Sequence, residues 1–288
     1  IACGECINIC KDVLMIDALQ FMKKGGFTQV VPKGDAPLVC EFCGDCLAVC
    51  PVGAITNKFS KYLYKPWQLK KTTTTCNYCG DGCQIHLETK DNEVVRVTSP
   101  LSWKNKWGDR SETAQGHGGI CVRGRFGFQF IDSKARLTHP LVRKGGKLAE
   151  SPWIETVETA VSRLADIKAK YGPNAIAGLV TARCSNEELY LFQKLMRAAI
   201  GTNQLDSSAR YGHLNFVHAV QHALGVGRMT NDTADITKAK AILVVGSNVT
   251  ETNPVFSVRV KEAIRVYKSQ VIVVDSANTN LAKLASHP

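Results

Sequence analysis

The sequence has little of what marks a membrane, fibrous or disordered protein. Aromatic residues make up only 7% and charged residues 21% of its 288 positions, against 44% hydrophobic residues, which is an ordinary globular composition. Its longest apolar runs, Ala241–Val245 and Val271–Val274, are strand-sized and far short of the ~20 residues that span a membrane. No secretory signal is visible. We therefore expect a globular, cytoplasmic protein with no transmembrane segment in this chain, and leave association with a membrane complex open.

Several motifs are also absent. There is no phosphate-cradling G-x4-G-K-S/T, no Ser/His/Asp constellation and no aromatic stripe typical of nucleic-acid binding. Acidic residues are few as well: 25 Asp and Glu face 36 Lys and Arg, so the formal net charge is +11. Such a balance points to nucleic acid or to another acidic partner.

Cysteine, by contrast, occurs 12 times, and most of the cysteines lie in closely spaced sets. One run has the spacing C-x2-C-x2-C-x3-C and is followed by Pro51. This is the bacterial ferredoxin run, in which three thiolates hold one [4Fe–4S] cluster and the fourth reaches a second cluster. Zinc sites usually take cysteines in separated pairs, and the spacing is too tight for a disulfide framework, so both alternatives are disfavoured. The run consists of Cys40, Cys43, Cys46 and Cys50.

A partner run, C-x2-C-x3-C, lies at the start of the chain. Its missing first cysteine would fall just before Ile1, so we expect the chain to be a piece of a longer one, truncated at both ends. Because the last thiolate of each run ligates the other cluster, the spacing predicts two crossed sets of ligands. One set is Cys3, Cys6, Cys50 and the cysteine before Ile1; the other is Cys10, Cys40, Cys43 and Cys46.

A third set has three closely spaced cysteines and one distant cysteine. Three ligands on a turn with one remote ligand suit a single [4Fe–4S] cluster, although a structural zinc site has the same pattern and stays open. The remaining Cys184 is expected to be an ordinary buried or loop residue, with a cofactor contact or a reactive thiol as the alternative. The third set is Cys76, Cys79, Cys83 and Cys121.

The composition along the chain predicts four segments. Residues 1–59 form an α+β ferredoxin-like module with two clusters, and the basic residues 60–73 form a linker. Residues 74–138 form a small cluster domain with a β-hairpin within Gln84–Val97. Residues 139–288 alternate strands with helices, which predicts an incomplete α/β domain with a largely parallel sheet.

Helix signals support this division. Pro152 begins a helix that Gly172 ends, and Ser185 with Glu188 forms a capping box for a second helix. A third helix is predicted over Val255–Tyr267. The predicted strands are Ile176–Val180, Ala241–Val245 and Val271–Asp275.

Two strand ends carry candidate ligand contacts. In open α/β sheets, ligands bind beyond the carboxyl ends of strands, where a glycine lets a phosphate approach and an Asp accepts hydrogen bonds. The same residues are also common in plain turns, and this alternative stays open. The candidates are Gly246, Ser247, Asn248 and Asp275.

Further segments are specific to one family. They are CNYCGDGC at 76–83, GGICVRGRFG at 118–127, SNEELYLFQKLMR at 185–197, GTNQLDSSARYGH at 201–213 and VVGSNVTETNP at 244–254. Together with the ferredoxin pair, they resemble the molybdopterin oxidoreductase family, above all the large subunits of formate dehydrogenases and the G-type subunits of complex-I-like NADH dehydrogenases.

The resemblance implies a ferredoxin-like module, a cluster domain and an α/β domain that binds molybdopterin guanine dinucleotide with molybdenum or tungsten. It also implies a plant-type [2Fe–2S] domain upstream. The third cysteine set would hold the cluster nearest the pterin, and Arg123 replaces a bridging lysine there. The candidates at the strand ends would contact the guanine nucleotide, although Ser276-Ala277 replaces the usual Pro-Arg after Asp275.

One position departs from the formate dehydrogenases. Where they carry the metal-binding Cys or selenocysteine, this chain has Gly212, which has no side chain to bind a metal. His213 follows and, with Arg123, is a candidate catalytic residue, with a structural role as the alternative for His213. No catalytic residue is therefore assigned. The complex-I-like relatives, for which the resemblance implies electron conduction without metal chemistry, match Gly212 better than the formate dehydrogenases do.

We therefore expect an oxidoreductase subunit that relays electrons through three [4Fe–4S] clusters to or from a flavin- or NAD(P)H-binding subunit, beside other iron–sulfur subunits. Each cluster with its thiolates carries a charge of about −2, so three clusters would lower the net charge to about +5. The excess of Lys and Arg is therefore interpreted as counter-charge for the clusters and not as a sign of nucleic-acid binding. The alternatives are an active molybdenum or tungsten formate dehydrogenase and a basic, zinc-containing nucleic-acid-binding protein.

Overall fold

The computed structural model describes residues 1–34, 37–99 and 119–286. The chain divides into two compact units. Unit 1 comprises Ile1–Ser133 and Asn231–Pro288, and unit 2 comprises Lys134–Thr230. No helix within the described residues has the length and apolarity needed to cross a membrane.

Helices and strands alternate irregularly along the chain. The helices are α1 (Glu5–Asn8), α2 (Asp45–Ala48), α3 (Val122–Phe126), α4 (Trp153–Tyr171), α5 (Asn186–Lys194), α6 (Asn215–Leu224), α7 (Val249–Thr252) and α8 (Pro254–Arg265). The strands are β1 (Leu19–Lys24), β2 (Phe27–Pro32), β3 (Lys70–Thr75), β4 (Gln84–Lys90), β5 (Glu93–Thr98), β6 (Leu141–Lys144), β7 (Lys147–Glu150), β8 (Gly178–Val180), β9 (Leu205–Ser207), β10 (Ala241–Val245) and β11 (Gln270–Val274).

The two cysteine runs of the N-terminal module have the same local build. In each run a glycine with positive φ, Gly4 at 80° and Gly44 at 77°, begins a one-turn helix that carries the next cysteine. Between the runs, β1 and β2 form an antiparallel hairpin around Gly25-Gly26. The glycine in each run allows the abrupt turn from the cysteine into the helix.

A three-stranded antiparallel sheet follows. The predicted hairpin within Gln84–Val97 is confirmed as β4 and β5, with Asp91 and Asn92 in the left-handed region at the turn. The predicted linker 60–73 is wrong in its last part, because β3 begins at Lys70 and pairs with β4. A run of four threonines explains the difference, since β-branched residues favour strands.

In the C-terminal part of unit 1, β10 and β11 form a parallel pair in which Val245 lies opposite Val274. Unit 2 has its own parallel pair, β8 and β9, of which the sequence predicted only the first. The parallel sheet expected over residues 139–288 is therefore two short pairs, one in each unit.

Helix α8 is the centre of unit 1. Val260 and Ala263 pack in one core with β10 and β11, Val255 packs with Cys83 in a second core, and Val258 packs in a third core. The third core contains Ile9, Leu14 and Val49 from the N-terminal module. Because this helix is buried on several sides, residues 231–288 belong with residues 1–133, which differs from the predicted domain boundary at 139.

Unit 2 consists of the hairpin β6–β7, the helices α4, α5 and α6, and the β8–β9 pair. Helix α4 ends at Gly172 as predicted, and the predicted capping box is confirmed by the bonds from Glu188 N–H to Ser185 Oγ, 3.2 Å, and from Ser185 N–H to Glu188 Oε2, 2.7 Å. The buried core described in this unit is small and consists of Ile176, Met196 and Ile200.

Candidate functional site

The first thiol group joins the two cysteine runs. Cys6 on α1 interacts electrostatically with Cys3 of its own run and with Cys50 of the other run. Burial raises the pKa of the Cys6 thiol. Burial also acts to raise the pKa of Cys50, but backbone N–H groups of residues 52–55 outweigh it and lower that pKa. One of these groups, Ala54 N–H, lies 3.2 Å from Cys50 Sγ.

The second thiol group joins one cysteine of the first run to the cysteines of the second run. Cys10 interacts with Cys40, and Cys46 interacts with both of them and with Cys43. Burial raises the pKa of Cys46 to about 11 and also raises that of Cys43. Backbone N–H groups point to two of the sulfurs: Ala18 N–H lies 3.3 Å from Cys10 Sγ, and Phe42 N–H lies 3.3 Å from Cys40 Sγ. The structure thus brings together the thiols that the spacing paired across the runs.

The third thiol group lies between β3 and α3. Cys83 interacts with Cys76, Cys79 and Cys121, and burial raises the pKa of Cys83 to about 12. The bond from Cys76 N–H to Cys83 O, 2.8 Å, closes the loop, and Cys121 precedes the first residue of α3. A Cβ added at Gly124 would lie 3.7 Å from Cys76 Sγ, so a small residue at this position leaves the sulfur room.

The distances between the side chains of each group affect whether the group can bind a single metal ion or a cluster. Within the described residues, no three Cys, His, Asp or Glu side chains converge closely enough to hold a single metal ion. A zinc ion needs its sulfurs at about 2.3 Å, whereas a [4Fe–4S] cluster stands between its ligands and keeps them further apart. Burial and N–H groups directed at sulfur also suit a cluster, because they set its potential. The buried thiols and the N–H groups directed at sulfur are therefore donors that fit a cluster.

Polar side chains that the sequence did not single out surround these groups. Asp45, between Cys43 and Cys46, forms a fully buried ion pair with Arg125 of α3, whose Nε donates to Cys43 O at 2.7 Å. Burial raises the pKa of Asp45, and Arg125 opposes this shift. The partners are 80 residues apart, so no local pattern indicated the pair.

Two more side chains connect the cysteine loops to α8. Asp81, between Cys79 and Cys83, accepts hydrogen bonds from Asn253 Nδ2 at 2.9 Å and Phe256 N–H at 3.2 Å, and so caps the helix. Lys261 is buried on α8 and pairs with Glu41, the residue after Cys40. The cysteine loops and this helix are therefore joined by charge as well as by apolar packing.

Arg123 lies on α3 beside the third group. Its Nη2 donates to the carbonyl oxygens of Thr252, at 3.0 Å, and Glu251. Its charge acts to lower the pKa of Cys76 against the larger effect of burial, which raises it. The side chain also lines a cavity of about 450 Å³. Other residues around this cavity include Cys40, Cys43, Asp45 and Cys121.

The candidates at the strand ends lie at one edge of the β10–β11 pair. Gly246 has φ 57° and donates its N–H to Val274 O at 2.8 Å, so the Gly246 turn lies next to the end of β11. Ser247 follows it. Asn248 accepts from Thr250 Oγ1 at 2.9 Å, and Asp275 accepts from Ala277 N–H at 2.9 Å. The predicted position at the carboxyl ends of strands is confirmed, while ligand binding there stays a prediction.

The last candidates lie in unit 2. Gly212 and His213 belong to a π-helical turn over Arg210–Leu214. His213 is exposed, stacks on Phe216 with ring centroids 6.1 Å apart, and lines a cavity of about 400 Å³. Among the described residues outside its own helical turn, no atom lies within 4 Å of a Cβ built at Gly212. Other residues around this cavity include Arg197, Asp206, Ser207 and Arg210.

Comparisons with known proteins agree with this layout. Residues 69–133 match the family described as Molybdopterin oxidoreductase Fe4S4 domain, and residues 136–287 match Molybdopterin oxidoreductase. The chain is 34% identical over 286 residues to the NADPH-Fe(3+) oxidoreductase subunit alpha of Geobacter sulfurreducens, covering 99% of this chain and 32% of that protein. It is 33% identical over 293 residues to a G-type NADH-quinone oxidoreductase subunit of Rhizobium meliloti, covering 100% and 32%.

A putative formate dehydrogenase of Staphylococcus aureus is 30% identical over 327 residues, covering 99% of this chain and 32% of that protein. Among solved structures, acetylene hydratase from Pelobacter acetylenicus matches with a TM-score of 0.51 and 18% identity, over 75% of this chain and 29% of that chain. The structural match shows the fold alone. The chain spans about a third of the length of the curated relatives named here.

Proposed function

Because this chain belongs to the molybdopterin oxidoreductase family, we propose that it relays electrons through three [4Fe–4S] clusters within a multi-subunit oxidoreductase. The observation that carries the proposal is the grouping of eleven thiols in unit 1, two of which cross between the cysteine runs. The assigned ligands are Cys3, Cys6 and Cys50; Cys10, Cys40, Cys43 and Cys46; and Cys76, Cys79, Cys83 and Cys121.

The clusters, when bound, supply one-electron carriers. The residues of this chain bury them, donate N–H groups to sulfur and place charge nearby, and no general acid or base is needed. Burial disfavours a charged cluster, and hydrogen bonds to the sulfurs at Cys10, Cys40 and Cys50 offset that cost. The surrounding ion pairs add fixed charge, which shifts the potential of the nearest cluster.

The similarity to subunits of larger oxidoreductases suggests the partners of this chain. Two of them are subunits, one of an NADPH-Fe(3+) oxidoreductase and one of an NADH-quinone oxidoreductase. We expect electrons to pass to or from a flavin- or NAD(P)H-binding subunit, beside other iron–sulfur subunits, in the cytoplasm. Nucleic acid is not expected, because the excess of basic residues serves as counter-charge for clusters of about −2 each.

A molybdopterin guanine dinucleotide is the further cofactor that the family suggests. Gly246, Ser247, Asn248 and Asp275 would hold its nucleotide at the edge of β10–β11, and Arg123 would be a further contact. The open turn at Gly246 suits the close approach of a phosphate. Gly212 in unit 2 has no side chain that could bind a metal.

The second candidate function is an active molybdenum or tungsten formate dehydrogenase. A relative named as a putative formate dehydrogenase and the position of His213 beside a cavity favour it. With Gly212 in place of the metal ligand, the electron relay is favoured.

Metal analysis of the anaerobically purified full-length protein tests both functions. We expect about twelve iron atoms and matching sulfide for these three clusters. Zinc in place of iron, or near-zero iron, would overturn the relay. Molybdenum or tungsten together with formate-dependent reduction of a viologen would establish the second function, whereas their absence with full iron leaves the relay alone.

A further inference from the structure

We propose that the buried Asp45–Arg125 pair is a positioning element that fixes the second thiol group against the third. The inference rests on the proposed function, because it concerns clusters held by these groups. Asp45 lies within the second cysteine run, and Arg125 lies one helical turn beyond Cys121, to whose carbonyl its N–H donates at 3.0 Å. Each partner is thus anchored next to a different group.

The guanidinium of Arg125 binds the second run at two points. One nitrogen pairs with the Asp45 carboxylate, while Nε donates to the backbone carbonyl of Cys43 at 2.7 Å. A planar fork with two directed donors fixes both distance and orientation, which a lysine ammonium cannot do. Arg125 therefore connects the helix after Cys121 to a side chain and to the main chain of the other loop.

Two glycines make room for this connection. A Cβ at Gly44 would lie 2.5 Å from Arg125 Cδ, and a Cβ at Gly119 would lie 2.8 Å from Asp45 Oδ2. Either methyl group would push the pair apart. The loops on both sides are therefore shaped around the pair as well as around their cysteines.

Burial makes the connection rigid. Asp45 is 0% and Arg125 2% exposed, so salt and water screen the pair little. Buried ion pairs add little net stability compared with apolar residues, and a role in fixing geometry is a recognised reason for retaining them. Asp45 also lines a cavity of about 450 Å³ together with Cys43 of the second group and Cys121 of the third, so the pair lies where the two groups approach each other.

The consequence concerns the passage of a single electron. One cluster loses one electron and the other gains it, while no bond is made or broken and no proton moves. Because such transfer requires a fixed donor–acceptor geometry, loosening the pair is expected to weaken communication between the two clusters without removing either one.

The test is electron paramagnetic resonance of the reduced, full-length holoprotein, with iron content measured in parallel. The variants are Asp45→Asn, Arg125→Lys and Gly119→Ala, of which the last keeps both charges and displaces Asp45. The control is Glu88→Gln, which removes another buried carboxylate whose partners are Arg96, Thr98 and Lys71, none of them on a cysteine loop.

We expect all three variants to retain the iron and both cluster signals but to lose the magnetic splitting between them, and the control to keep it. Loss of the splitting in Arg125→Lys, which keeps the positive charge, separates the geometry of the fork from simple charge. Unchanged splitting in the three variants, or loss of one cluster in each of them, would overturn the positioning role alone. Unaltered protein without iron would instead overturn the proposed function.

Discussion

The two units of this protein differ in which side chains are buried: unit 1 buries charged residues, whereas unit 2 exposes large apolar ones. In unit 1, eight of the twelve residues of α8 are buried, among them Arg259, Lys261 and Glu262. In unit 2, α4 has no buried residue, and Trp153 and Ile154 are 71% and 75% exposed. Its ion pair between Lys144 and Glu155 is about half exposed, at 52% and 45%.

In the part of the chain that the structure describes, unit 1 therefore has the larger buried interior. A buried charge persists only where it is paired and hydrogen-bonded, so unit 1 must be held in one arrangement around its cysteines. Among the described residues, unit 2 instead carries helices with exposed apolar side chains, such as Trp153 and Ile154 of α4, around a core of Ile176, Met196 and Ile200. We infer that order in unit 1 depends on specific polar contacts, and order in unit 2 mainly on its helices.

The largest expected effect is on a buried charge of unit 1. Asp45→Ala leaves Arg125 buried without its partner, which costs about 3–5 kcal/mol of unfolding free energy. Glu155→Ala in unit 2 breaks an exposed pair and should change little. Denaturant unfolding followed by circular dichroism measures both, and equal effects would remove the contrast between the units.

Two glycine-to-alanine substitutions, one in each unit, are expected to have different effects on stability. Gly44→Ala places a Cβ 2.5 Å from Arg125 Cδ at a φ of 77°, so we expect a loss of about 1–3 kcal/mol. Gly212→Ala meets open space within a helical turn, and alanine favours helix by about 1 kcal/mol, so this variant should be neutral or slightly more stable. The same unfolding measurement tests both. A destabilised Gly212→Ala variant would contradict the open surroundings of Gly212.

A smaller effect is expected at a helix start in unit 2. Ser185→Ala removes the oxygen that accepts from Glu188 N–H and should cost about 1 kcal/mol. Ser185→Asn keeps a capping oxygen and is the control. If local helix signals dominate this unit, its thermal midpoint falls for the first variant alone. No difference between the variants would argue against that account.

The smallest effect is expected for the dependence of stability on pH. Burial, with a contribution from Lys71, lowers the pKa of His86 in unit 1, so the unfolded chain binds this proton more readily. Stability from this group is therefore complete above the ordinary His value of about 6.5 and declines below it. Hydrogen bonds from Lys144 and Arg210 lower the pKa of Glu155 and Asp206 in unit 2, so their contribution is lost only nearer pH 4.

The urea midpoint measured between pH 7.5 and 5.5 checks this difference. His86→Gln is expected to flatten the dependence in unit 1 and to leave unit 2 unchanged. An unaltered slope in the variant would assign the acid sensitivity to other groups.

Local signals in the sequence predicted the local structure well. The proline and glycine around α4, the Ser185 capping box and the hairpin β4–β5 depend on neighbouring residues, and all three are confirmed. The comparisons likewise confirm the expected order of a cluster domain followed by a molybdopterin oxidoreductase domain. The ferredoxin-like arrangement of residues 1–59 and the ligand assignments remain predictions.

What the sequence did not predict depends on distant residues. The Asp45–Arg125 pair spans 80 residues, and α8 is buried on several sides, whereas an amphipathic pattern indicates only one buried side. Strand β9 has three residues, too few for a periodic signal. Strand β3 lies in a basic segment that contains Pro66, a composition typical of a linker.

Single Cys→Ser variants in the reduced holoprotein test whether the two cysteine runs exchange one ligand each. Cys10 interacts with Cys40 and Cys46, whereas Cys6 interacts with Cys3 and Cys50. Electron paramagnetic resonance should therefore show Cys10→Ser altering the same cluster signal as Cys43→Ser, and Cys50→Ser altering the same signal as Cys6→Ser. If Cys10→Ser instead altered the signal that Cys6→Ser alters, each run would hold its own cluster, and the account would be contradicted.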